Sequence, residues 1–153
     1  MALKSRHGLE IRAATGADAA GIRELLSLAG HAIDARVLAD RLDAMRQEPG
    51  AALLAVEWGP PSGLILLHWY RTPFDDQPAA QITTLFVAPD DRRRGIGRLL
   101  LKAAAQAARV AGCGSLEFLT TEDPTLRSFC LAAGFTESGT CFARPLRKSV
   151  RPV

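Results

Sequence analysis

Apolar positions along this chain switch between two periods, and each switch marks the start of a different element. Residues 9–13 alternate as a short strand. Thr15 with Asp18 three positions later forms a capping-box pattern, after which Ile22, Leu25, Leu26 and Ala29 recur at helical spacing until Gly30. A second amphipathic segment begins near Asp34, places Val37, Leu38, Arg41, Leu42 and Met45 on one side, and stops before Pro49-Gly50. After that the pattern changes to strands. Residues 51–57, 64–70 and 79–88 read as three strands separated by the turn sequences GPPSG and TPFDDQP, the first two as a hairpin.

After the stretch DDRRRGIGRLLL the helical period returns. Leu99, Leu100, Ala103, Ala107 and Ala111 are expected on one face, with Arg98, Lys102, Gln106 and Arg109 on the other, as in a helix packed on a sheet. GCG closes that helix, and residues 115–120 form a fifth strand. Asp123-Pro124 caps a last helix, whose Leu126, Phe129, Cys130 and Ala133 share a face up to Gly134. Residues 135–146 are expected to add two more short strands. The order of strand, two helices, three strands, helix, strand, helix and strands makes a mixed α/β sheet with helices packed on it. No repeat, low-complexity segment or linker interrupts it, and 153 residues, 48% of them hydrophobic, suit one domain with one core.

Charge and cysteine content narrow the function classes. A net charge of +3 helps attract a polyanionic ligand but falls short of the signature of a dedicated nucleic-acid binder. Cys113, Cys130 and Cys141 contain no CxxC pair and no histidine at zinc-ligand spacing, so neither a disulfide framework nor a structural metal is suggested, and a cytoplasmic setting is expected. The first residues lack the apolar stretch of a secretory signal, and apolar runs such as residues 64–67 are far too short to span a bilayer.

The arginine-glycine stretch admits three readings. A phosphate-binding loop of the Walker type needs Gly-Lys-Ser/Thr, but Gly97 is followed by Arg98-Leu99. A dinucleotide fingerprint needs a third glycine where Leu100 stands. The third reading uses main chain: a strand ending near Pro89, a turn, and a helix starting near Gly95 leave amide groups pointing out of a helix N-terminus, where the macrodipole favours negative charge. Glycine at 95 and 97 lets a phosphate approach closely, and Arg92, Arg93 and Arg94 can add charge-assisted contacts. The competing structural explanation is a solvated charge cluster around a glycine-shaped turn.

The segment ITTLFVAPDDRRRGIGRLLL, followed by DPTLRSFCLAAGF, resembles the GNAT superfamily of acyl-CoA-dependent N-acetyltransferases, with Arg92, Gly95 and Gly97 on its cofactor motif. The resemblance implies an α/β (α+β) fold: a mixed, mostly antiparallel, splayed central sheet of about seven strands flanked by about four helices. Residues 1–153 would form a single domain with a basic tail from about residue 147. It also implies acetyl-CoA as cosubstrate and no metal. The coenzyme A pyrophosphate would sit on the amides of Arg92, Arg93, Arg94, Gly95, Ile96 and Gly97, with Arg98 adding one more. The pantetheine arm would run beside the fourth strand against the main chain of Leu85, Phe86 and Val87. The fourth and fifth strands would part to admit it, with a bulge near Leu85 aiming an N–H at the thioester oxygen.

The reaction so implied has two proton requirements: an ammonium loses one before attack, and the departing thiolate gains one. The family's frequent glutamate on the fourth strand is missing, since Gln81, Thr83 and Thr84 are the polar residues there. Glu117 on the neighbouring strand, or His68 on the third, could act as base through water. The family's usual tyrosine, four residues before Gly134-Phe135, is replaced by Cys130, whose reference pKa of about 8.5 suits proton exchange with another thiol; the alternative is a small core cysteine. The expected acceptor is a primary amine of a small molecule, peptide or protein. No membrane or nucleic-acid partner is expected, and a homodimer is compatible with many relatives. A catalytically silent acyl-CoA-binding module is the alternative that the two altered positions motivate.

Overall fold

The computed structural model describes residues 3–4, 8–120 and 123–147, and the chain divides into two compact units, residues 1–121 and 122–153. In the first unit the elements run β1 (Leu3–Lys4), β2 (Glu10–Ala13), α1 (Ala19–Ser27), α2 (Ala35–Arg46), β3 (Gly50–Val56), β4 (Gly63–Tyr70), β5 (Ala79–Val87), α3 (Ile96–Val110) and β6 (Ser115–Phe118). The strands lie in the order β1-β2-β3-β4-β5-β6, antiparallel except for the β5–β6 pair.

Register decides which residues share a face, because directly opposed residues point the same way. Leu54, Leu64 and Phe86 form one cross-strand row. They join Ile22, Leu25, Leu38 and Leu42 of α1 and α2 in one hydrophobic cluster. The other face carries Ile65, Leu67 and Ile82, all fully buried, and receives α3. The approach is close: a Cβ on Gly63 would lie 2.8 Å from Leu100 and 3.1 Å from Ile96. The buried residues of α3 are Ile96, Leu100, Ala103, Ala104 and Ala108. The stripe expected from sequence was Leu99, Leu100, Ala103, Ala107 and Ala111, so the helix is turned by about one position. Its apolar residues cover more than half the circumference, and the sheet selects which of them it contacts.

The entry to α1 rests on an ion pair. Asp18 accepts from Arg12 of β2 at 2.7 and 2.9 Å, and from the Thr15 amide at 2.8 Å. These bonds favour the charged carboxylate and lower its pKa to about 2. A depressed carboxylate contributes stability above its unfolded pKa and loses it as pH falls through the folded value. Asp18→Asn is therefore expected to destabilise the protein by about 1–2 kcal/mol at pH 7. The difference from wild type should shrink as pH drops below about 4 towards about 2. Urea denaturation at a series of pH values checks this, and a penalty unchanged with pH would be inconsistent with it.

The second unit contains α4 (Pro124–Ala132). Asp123 accepts from the Thr125 amide at 2.9 Å, proline occupies the first turn, and Gly134 at φ +91° follows the C-terminus. Arg127 pairs with Glu137. Residues 135–147 contain no strand, so the described sheet has five strands of four residues or more plus the two-residue β1, instead of about seven. Gly139, at φ +82°, together with Pro145, interrupts the extended backbone that the two expected strands would need.

Candidate active site

The longest helix begins without a side-chain cap. Asp34 caps α2 and Asp123 caps α4, whereas α3 starts at Gly95, at φ +78°, with no side chain on its first-turn amides. The amides of Ile96, Gly97 and Arg98 have no partner four residues earlier within the helix. A Cβ built on Gly95 meets nothing within 4 Å, so the mouth of the helix is open. Arg93, at φ +67°, is the non-glycine residue in the left-handed region among the described residues, a conformation uncommon for a residue with a side chain.

The three arginines are not equivalent. Arg94 reaches back to Glu57 at 2.6 Å and sideways to Asp91 at 2.8 Å, which ties the loop to the end of β3 and raises the guanidinium pKa. Arg92 folds onto β5, donating to the Val87 carbonyl at 3.3 Å with its guanidinium 6.0 Å from the Phe86 ring. Arg93 and Arg98 are exposed and have no ion-pair partner among the described residues.

Beside this loop the sheet parts. The β5–β6 ladder runs from Ala79↔Ser115 to Ile82↔Phe118, and Leu119 still donates to the Ile82 carbonyl at 3.0 Å. Beyond Ile82, β5 continues to Val87 without a described strand on that side. At the same point β5 bulges: Leu66 faces Thr84 and Leu67 faces Ile82, leaving Thr83 as the extra residue. The bulge expected near Leu85 lies two positions earlier, where it bends the strand as its β6 pairing stops. It also resets the alternation, so that Gln81, Thr84 and Phe86 all lie on the face shared with α1 and α2, while Leu85 joins Ile65 on the α3 face.

A polar row crosses that first face. His68, Gln81 and Glu117 are directly opposed on β4, β5 and β6. The Tyr70 hydroxyl donates to one Glu117 oxygen at 2.6 Å, and the Gln81 amide approaches the other at 3.5 Å. Tyr70 and Glu117 are 47 positions apart in sequence and meet only through the strand order. His68 also borders a cleft of about 220 Å³ with Leu42, Met45 and Arg46 of α2.

In the second unit Cys130 is buried on α4, and desolvation pushes its thiol pKa above the ordinary value. It is thus held as a thiol, able to donate a proton and disfavoured as a thiolate nucleophile. Among the described residues, no cluster of three or more His, Cys, Asp or Glu side chains could hold a metal ion, and no helix is long and apolar enough to cross a membrane.

An open helix N-terminus beside a bulged strand that leaves its parallel neighbour is the arrangement that the resemblance to coenzyme A-dependent acyltransferases implies. The chain belongs to the acetyltransferase (GNAT) family, whose model matches residues 21–135 and whose members use acetyl-CoA as cosubstrate. A presumed acetyltransferase from Agrobacterium tumefaciens superposes with a TM-score of 0.79 at 26% identity, covering 88% of this chain and 98% of that one. An aminoglycoside acetyltransferase from a soil metagenomic sample, solved with sisomicin, gives 0.75 at 19% identity over 92% and 97% of the two chains. Mycothiol acetyltransferase of Nocardia farcinica is 29% identical over 79 residues, 51% of this chain and 26% of that protein. The chain thus spans about a quarter of the length of this curated relative.

Proposed function

We propose that this protein transfers an acetyl group from acetyl-CoA directly to a primary amine. The observation that carries this reading is the uncapped N-terminus of α3 at the point where β5 leaves β6, in a chain of this family. The amides of residues 92–98 would receive the pyrophosphate, with the free guanidinium groups of Arg93 and Arg98 adding charge. The main chain of Leu85, Phe86 and Val87, on the edge of β5 that has no partner strand among the described residues, would pair with the pantetheine arm. The family match spans both units, and residues 1–153 are taken to act as one domain.

In the proposed chemistry Glu117 takes a proton from the acceptor ammonium, directly or through water. The freed nitrogen then forms a bond to the thioester carbonyl carbon while the carbonyl oxygen gains charge. A main-chain N–H at the Thr83 bulge would stabilise that charge. Collapse breaks the carbon–sulfur bond, the nitrogen loses its second proton to water to leave the neutral amide, and the thiolate takes a proton from the Cys130 thiol, which solvent reprotonates. The body of the acceptor would lie along the α1/α2 face, towards the cleft beside His68.

Thiol release from acetyl-CoA, measured with ethanolamine, alaninamide, a lysine peptide and kanamycin, tests the reaction. At least one amine should raise release well above hydrolysis, and Cys130→Ala should lower that rate about tenfold with coenzyme A affinity unchanged. Saturable coenzyme A binding without turnover of any amine would favour a silent binding module, and no binding would end the reading.

A further inference from the structure

Tyr70 is the chain's sole tyrosine, and it ends β4 at 42% exposure. At that exposure water could satisfy its hydroxyl, so folding does not require a protein partner. It nevertheless makes a 2.6 Å bond to Glu117, in the short range of bonds to an ionised acceptor. Gln81 approaches the second oxygen of the same carboxylate from the intervening strand. A carboxylate has about four lone-pair sites, so these two donors still leave acceptor capacity for an amine or a water. We propose that Tyr70 and Gln81 are positioning residues that fix the Glu117 carboxylate next to the β5 bulge, so that its remaining lone pairs meet the acceptor nitrogen. This rests on the reading of Glu117 as the base.

The physical need is clear from the placement. Glu117 stands one residue before the end of β6, where the ladder to β5 stops after the next pair. A glutamate there has three side-chain torsions, and small misplacements of a reacting group are costly in rate. Tyr70 on β4 holds one of its oxygens and the Gln81 amide on β5 approaches the other, so the carboxylate's orientation is referred to two neighbouring strands rather than to its own rotamer preferences. His68, directly opposite Gln81 on the same face, makes no recorded hydrogen bond to Glu117 and does not share this task.

Two measurements on the full chain test it. The first is a double-mutant cycle with whichever amine of the panel turns over fastest. Tyr70→Phe should lower kcat about tenfold, leave KM for acetyl-CoA within about twofold, and cause no further loss in the Glu117→Gln background. Equal losses in both backgrounds, or none in either, would overturn the positioning role. If Glu117→Gln itself left turnover intact, the reading of the base would fall instead, and with it this inference. The second measurement needs no acceptor. The Glu117 carboxylate and partial burial raise the Tyr70 hydroxyl above its ordinary 10.0. A spectrophotometric titration of this single tyrosine, with circular dichroism followed in parallel, should move back towards 10.0 in Glu117→Gln. An unchanged midpoint in the folded protein would show that the contact is not made.

Discussion

Glu117→Gln is expected to lower kcat by about 100-fold or more, while coenzyme A binds as tightly as before. The substitution keeps shape and removes charge, and the new amide oxygen can still accept from Tyr70. The strand register and the β5–β6 parting should therefore persist. What disappears is the basic oxygen that would accept the ammonium proton, and loss of a positioned base typically costs about 3–5 kcal/mol of barrier. Steady-state thiol release with the best amine, alongside a calorimetric coenzyme A titration, separates chemistry from binding. A rate within about threefold of wild type would remove Glu117 from the proton transfer and turn attention to His68 on the same row.

The second large effect is on binding. Gly95→Val should weaken coenzyme A by about 100-fold or more, equivalent to about 3 kcal/mol. Gly95 holds φ +78° at the first position before α3, and the space around its missing Cβ is open. A branched side chain there is strained by about 1–2 kcal/mol in the left-handed region, and its methyl groups would stand in front of the amides of Ile96 and Gly97. The melting temperature of the free protein should drop by only a few degrees. Binding measured well below that temperature would then report the lost phosphate contacts. An unaltered dissociation constant would mean that the anion is held elsewhere. Since Arg94 is already bonded to Glu57 and Asp91, its removal would act through the shape of the loop more than through its charge.

Much of this was legible because it is local. The Thr15–Asp18 capping pattern, the Asp34 and Asp123 caps and the glycines after α1 and α4 are short-range signals, and each stands where its chemistry predicts. The arginine-glycine loop could be read for the same reason: the amides at a helix start are exposed by backbone geometry, whatever packs elsewhere. The boundaries of β3, β4 and β5 also followed, to within a residue, from the Gly/Pro-rich turns between them.

Other features are invisible to a periodic pattern. A period of two assigns Gln81 and Thr84 to opposite faces, and only the extra residue Thr83 returns them to the same one. The apolar side of α3 is wider than the stripe that the sheet buries, so the sequence leaves open which edge of it meets the sheet. No spacing rule joins Tyr70 to Glu117. The order of residues by itself determined most of the elements, their caps and a helix that starts after the arginine-glycine loop, because those depend on neighbours a few positions apart. Which strands lie side by side, where β5 leaves β6, and therefore which donors hold Glu117 were decided by the tertiary structure alone. Long-range pairing depends on how whole faces are buried against each other, a condition that no single segment carries.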